Sequence, residues 1–333
     1  MGLIRGEMFM YLSMRFDFRN PAFAGTSMAD RYSAALDMAE WADNLGIPAS
    51  IAVSEHHGSE DGYIPSPALM LAAMAARTRN VRFSVAALIA PFHDPLRLAE
   101  DFCVLDNLSK GRVDLIVAGG YAPSEFAMFD VPIKERPKRV TEAVHTLKAA
   151  FAGKPFEYRG RTVHVTPAPV RPGGPMVLMG GASEPAARRA ARIADGFVPS
   201  APACWEFYRD EMIALGKPDP GPGMLGSAEV TALAVDPDAG WQAMGRYFLH
   251  ETNAYGAWKA AAGEATPYDV FPDVDALRAA NRYHVITPQQ MIAQIKAAPA
   301  PVAQFHPLCG GMPIDVAWDS LKLFEKEVLP SFR

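Results

Sequence analysis

The stretch Val81–Arg112, VRFSVAALIAPFHDPLRLAEDFCVLDNLSKGR, decides the architecture. Val81 to Ile89 is apolar on both faces, which suits a strand buried inside a parallel sheet. Leu96, Ala99, Phe102, Cys103 and Leu105 follow at spacings of three and four, the period of a helix with one buried face. Ser109, Lys110 and Gly111 end that helix, and a new apolar run, Val113 to Val117, begins at once. A strand–helix–strand unit with such short connections requires a parallel sheet.

The same alternation extends in both directions. Upstream, Met8–Met14 and Ile51–Val53 read as strands, and Met28–Leu45 and Ala68–Arg77 as helices. Downstream, helices are expected over Glu135–Phe151, Ala186–Ala194, Trp205–Leu215, Ala239–Ala261, Pro288–Lys296 and Val316–Val328. Strands are expected at Pro175–Met179, Gly196–Val198, Glu229–Val235 and Val302–Pro307. Two stretches stand apart. FEYRGRTVHV alternates around Arg159–Gly160 and reads as a surface hairpin at about 156–166. Gly263–Ile286 lacks any period and reads as an insertion, expected to behave as a mobile lid. About eight strand–helix alternations, with no internal repeat and no linker, favour one (β/α)8 barrel (a TIM barrel, α/β class) spanning 1–333 over a doubly wound sheet. No G-x-G-x-x-G follows a strand, which also weighs against a dinucleotide-binding fold.

Composition narrows the partners. Half of the 333 residues are hydrophobic and the net charge is −5, so a large core is available and a phosphate-rich polymer is not an expected partner. Cys103, Cys204 and Cys309 have neither metal spacing nor a disulfide framework, which fits a reducing compartment. No run spans a bilayer and MGLIRGEMFMYLSMRF lacks the order of a signal peptide. A soluble cytoplasmic protein, binding neither nucleic acid nor membrane, is expected.

In a barrel the chemistry sits at the carboxyl ends of the strands. Ser54–Glu55–His56–His57 follows the second strand; adjacent side chains on extended backbone diverge, so no shared metal is expected there. A histidine there either fills space at the rim or handles protons. Ala86–Ala87 within SVAALIAP marks close packing of something over the strand. Ala118–Gly119–Gly120–Tyr121 lets a ligand approach backbone; Tyr121 either lines a pocket or packs in a loop, and Glu125 either acts or caps a helix. Gly180–Gly181–Ala182–Ser183 opens a helix and reads as an anion cradle or as a tight turn. His306 ends the last strand at the same end of the barrel and is a pocket candidate.

The ordered series Glu55–His56–His57, Ala86–Ala87, PLRLAED (Pro95–Asp101), LSKGR (Leu108–Arg112), GGY (Gly119–Tyr121) and GGAS (Gly180–Ser183) resembles the bacterial luciferase-like, flavin-dependent monooxygenases. The resemblance runs from the first helix to about Ser200 and is strongest over Ser54–Phe129. It implies that His56 matches the family's catalytic histidine. It implies a flavin lying on Ala86–Ala87, where members often have a non-proline cis peptide, with Gly119, Gly120 and Tyr121 beside it. The flavin phosphate would fall on Gly180, Gly181, Ala182 and Ser183. The family places a phosphate-binding arginine where Ala118 stands here, a departure that leaves a changed phosphate contact, a different cofactor or a second arginine in its place as the alternatives.

The implied activity is two-component monooxygenation. A partner NAD(P)H-flavin reductase would supply reduced FMN, and O2 would oxygenate a small apolar aldehyde, ketone or terpene. Phe9, Phe16, Phe92 and Phe126 give the loops an apolar character that suits such a substrate, with Phe9, Phe92 and His306 as pocket residues. The alternatives are a deazaflavin (coenzyme F420)-dependent hydride-transfer enzyme and a non-catalytic flavin-binding protein. The resemblance also implies a homodimer formed through helices of the first half.

Overall fold

The computed structural model describes residues 10–223, 230–263 and 269–333. In chain order the elements are β1 (Tyr11–Phe16), α1 (Met28–Asn44), β2 (Ala49–Val53), α2 (Pro67–Arg77), β3 (Arg82–Ile89), α3 (Pro95–Ser109) and β4 (Val113–Ala118). Next come α4 (Pro123–Met128), α5 (Arg136–Phe151), β5 (Phe156–Tyr158), β6 (Arg161–Val163), β7 (Val177–Gly181), α6 (Glu184–Ile193), β8 (Gly196–Pro199) and α7 (Cys204–Ala214). The chain ends with β9 (Val230–Leu233), α8 (Pro237–Ala262), α9 (Val274–Ala279), β10 (Tyr283–Ile286), α10 (Pro288–Ala297), β11 (Val302–Phe305) and α11 (Ile314–Leu323).

The fold is an α/β barrel of parallel strands with helices between them. Among the described residues the neighbours run β10-β9-β11-β1-β2-β3-β4-β7-β8, nine strands rather than the eight expected. The extra strand is β10. It pairs in parallel with β9, Tyr283 opposite Val230 and Ile286 opposite Leu233. Gly263–Ile286 is therefore not a bare insertion. It contributes α9 and a sheet strand, so a mobile lid cannot include 283–286, and 264–268 fall outside the described residues. YHVI carries a histidine at its second position and follows a segment without a period, so it does not stand out as an apolar run. β5 and β6 pair antiparallel, Phe156 opposite Val163, apart from the main sheet.

Local chemistry explains the central unit. Asp94 caps α3 by accepting from the amides of Leu96 and Arg97, with Pro95 at the first helical position. Lys110 ends the helix in the left-handed region and Gly111 follows at φ +79°. Arg112 of LSKGR is a structural staple. Its guanidinium donates to the carbonyls of Ala75, Thr78 and Val81 and to Thr78 Oγ1, fastening the end of α2 to the start of β3. Phe16 ends β1 rather than lying in a loop. It is fully buried, 5.5 Å from the Phe18 ring, and belongs to the core.

Cys103, Cys204 and Cys309 are buried and unpaired. Among the described residues no helix is long and apolar enough to cross a membrane.

Candidate active site

The segment after β2 turns at Ser54, whose Oγ donates to the Ala86 carbonyl of β3 at 2.7 Å. His56 and His57 then diverge, as extended backbone requires, and each finds its own carboxylate. His56 Nδ1 lies 2.7 Å from Glu125 Oε1, and the same oxygen accepts from the His57 amide at 2.9 Å. α4, a short helix just past β4, is what carries Glu125 to this point. Burial pushes the His56 imidazole below its ordinary pKa, although Glu125 pulls the other way, so the ring is neutral at pH 7. A carboxylate on Nδ1 keeps the ring proton there and leaves the Nε2 lone pair for chemistry. Nε2 is 3.3 Å from the Tyr121 hydroxyl.

Glu55 points the other way. Oε1 accepts from His57 Nε2 at 2.8 Å and His93 Nε2 at 2.7 Å, and Oε2 accepts from the Ile89 amide at 2.9 Å. Burial would raise this carboxyl, but these hydrogen bonds hold it at about 2. The ligand-type atoms of Glu55, His57 and His93 lie within 4.8 Å of one another. The imidazole-to-carboxylate hydrogen bonds account for that clustering.

Because β3, β4 and β7 are adjacent, three of the small-residue stretches meet along one side of the mouth. Ala86 and Ala87 are half-buried in a strand otherwise closed at this level, and the peptide between them is cis. Gly119, Gly120 and Tyr121 are also half-buried. Gly120 has φ +68°, and a Cβ there would come within 2.7 Å of Ile89 Cγ2, so glycine alone suits this turn. Arg136, at the start of α5, lies along the pair and donates to the Gly120 carbonyl at 3.0 Å. Gly180 and Gly181 close β7, Gly181 opposite Pro199, and exposed Ala182 and Ser183 lead into α6. The Ser183 side chain makes no cap bond of its own.

Other expected site residues lie elsewhere. Phe92 stacks on Phe129 at 4.7 Å and packs on Phe126 and His57, a cluster on the Glu55 side rather than around His56. His306 is buried beneath the mouth, 3.6 Å from Asp17 and 3.3 Å from Glu251. Phe9 lies outside the described residues.

The rings that do surround His56 come partly from its own loop and partly from distant sequence. Tyr63, Tyr121, Tyr255 and Trp258 approach with centroids at 4.8, 5.5, 5.9 and 4.3 Å. Tyr255 and Trp258 sit one helical turn apart near the end of α8, and Lys259 Nζ lies 3.8 Å from the Tyr121 ring centre. Their spacing on α8 was visible in the sequence, but nothing indicated that this helix end reaches the β2 loop.

The family described as luciferase-like monooxygenase matches residues 10–298 of this chain. The chain belongs to that family. Within it, the chain is similar over 97% of its length, and all of the other's, to the monooxygenase RslO1 from Streptomyces bottropensis, with TM-score 0.78 and 27% identity. The oxygenating constituent of 3,6-diketocamphane monooxygenase from Pseudomonas putida, in complex with FMN, shares the fold with TM-score 0.69 at 21% identity, over 97% of this chain and 98% of that one. The F420-dependent glucose-6-phosphate dehydrogenase of Nocardia farcinica is 30% identical over 189 residues, 54% of this chain and 56% of that protein. The luciferase-like chain spans less than half the length of the first curated relatives it matches.

Proposed function

We propose that this chain is the oxygenating component of a two-component monooxygenase, taking reduced FMN from a separate NAD(P)H-flavin reductase and oxygenating a small, largely apolar molecule with O2. The observation that carries this reading is the relay Glu125–His56–Tyr121 beside the half-buried Ala86–Ala87 floor. The residues present fit a flavin. Small side chains at Ala86, Ala87, Gly119 and Gly120 leave a ring access to backbone, and Tyr121 supplies an edge. Gly180, Gly181, Ala182 and Ser183 offer backbone at the start of α6 to the phosphate, with Arg136 as the cation in place of the arginine absent at Ala118. When bound, reduced flavin supplies the electrons that activate oxygen.

The protein's own part is proton handling and exclusion of water. Neutral His56 takes or returns a proton at Nε2, Glu125 stabilises the imidazolium that results, and Tyr121 marks the position of the transferred proton. Tyr63, Tyr255 and Trp258 keep bulk water from that nitrogen. Leu69 on α2, with Val104 and Leu108 on α3, exposes apolar side chains on first-half helices, which supports the homodimer reading.

An anaerobic titration of reduced FMN, oxidised FMN and the deazaflavin cofactor, followed by tryptophan fluorescence, tests the proposal. Preference for reduced FMN is expected. Preference for the deazaflavin would establish the second reading, a hydride-transfer enzyme, which Ala118 and the similarity to the Nocardia dehydrogenase favour. His56 argues against the third reading, a flavin-binding protein without catalysis, and unchanged turnover in His56→Ala would remove that argument.

A further inference from the structure

Arg19, in the loop after β1, takes no part in the chemistry above. Its side chain is wholly buried. Nη1 donates to Asp61 Oδ2 at 2.5 Å, and Asp61 is held in turn by His250 at 2.8 Å and by Ser59. Asp17 is 3.7 Å from Nε, near enough for its charge to matter and too far for a hydrogen bond. Among the described residues the Nε and Nη2 N–H groups have no hydrogen-bond partner.

These donors belong to the same enclosure as His56. The guanidinium carbon lies 4.8, 4.8 and 4.6 Å from the ring centres of Tyr63, Tyr255 and Trp258, the rings that also pack on His56. Ring faces stabilise the cation, but in-plane N–H groups still call for an acceptor, and a buried donor without one is costly. β1 lies across β2 from β3. The loop that carries Arg19 thus leaves the sheet one strand further from Ala86–Ala87 than the His56 segment does.

We propose that Arg19 determines substrate choice. Its Nε and Nη2 receive one carbonyl oxygen of a flat, otherwise apolar molecule held among Tyr63, Tyr255 and Trp258. Asp61 and Asp17 already balance the guanidinium charge, so the site calls for a lone pair and not for an anion. A ketone or aldehyde meets that demand and a hydrocarbon does not. Trp258 is half-buried while Arg19 is sealed, so the molecule enters past the indole. This inference rests on the oxygenase reading only for what happens after binding.

Isothermal titration with acetophenone and with α-methylstyrene, the same skeleton with C=CH2 for C=O, tests it on the whole chain. The wild type is expected to bind the ketone at least about tenfold more tightly, and Arg19→Met to erase the difference without altering reduced-FMN affinity. Equal binding by the wild type, or a preference that survives in Arg19→Met, overturns the assignment. Tighter binding of benzoate than of acetophenone overturns the neutral-acceptor class. If Arg19→Met fails to fold with Asp61 unpaired, Arg19→Met with Asp61→Asn replaces it, and the wild-type pair of titrations decides in any case. A ketone preference without flavin binding would sink the oxygenase reading and leave the role of Arg19 standing.

Discussion

At the scale of single residues, Glu125 organises the site. Its Oε1 lies 2.7 Å from His56 Nδ1, and its second oxygen is buried with no hydrogen-bond partner among the described residues. Glu125→Gln is expected to lower turnover on the order of a hundredfold while leaving flavin affinity intact, because orientation of the base is lost and the cradle is not. The pH profile gives the sign. His56 is depressed by burial and pulled up by Glu125, so removing the carboxylate depresses it further and shifts the acid limb of kcat/KM to lower pH. An acid limb that moves up, or stays, would rule out His56 as the titrating base. Glu55 makes a second residue-scale test. Its carboxyl, at about 2 against an ordinary 4.5, stabilises the fold fully above 4.5 and loses that contribution as pH falls through its folded value. The stability advantage of wild type over Glu55→Gln, roughly 3 kcal/mol near neutrality, should therefore shrink between pH 4.5 and 2 in urea titrations. A constant difference across that window would refute it.

At the scale of elements, α8 joins the two ends of the chain to the site. Its middle places Glu251 against Arg15, Tyr283 and Cys309, and its last turns bring Tyr255 and Trp258 to His56. The turn Cys309–Gly311 after β11 seats directly on this helix. Gly310 has φ +59°, and a Cβ there would lie 2.0 Å from the Tyr247 carbonyl oxygen, which is backbone and cannot step aside. Gly310→Ala should cost on the order of 3 kcal/mol or more by urea unfolding. Gly160→Ala, at φ +72° in the β5–β6 turn with nothing within 4 Å, should cost only about 1 kcal/mol. Equal costs would mean that the turn does not press on α8. The unbroken apolar run at Ile51–Val53 declares a short strand, whereas His284 interrupts YHVI and hides β10.

At the scale of the whole molecule, the exposed apolar side chains of α2 and α3 bear on assembly. Leu108→Asp should convert a dimer to a monomer in light scattering; a monomeric wild type at every concentration would end the dimer proposal. The barrel itself was legible because its determinants are local. Val81–Val117 spells out strand, capped helix and strand within one continuous segment, and its strands are apolar at most positions, with one face mostly buried. The carboxyl-end stretches were legible for the same reason, since each follows its strand directly. Tertiary structure alone decided which of them share a purpose. His56 and Glu125 are 69 residues apart, and Tyr63 and Tyr255 are 192 apart yet joined by a 2.7 Å hydrogen bond. His306 and Phe92 show the converse, each at the right end of a strand and each turned to other neighbours. A period fixes the face on which a residue lies, because backbone geometry repeats along one element. What stands opposite that face depends on how separate elements pack, and no local pattern encodes it.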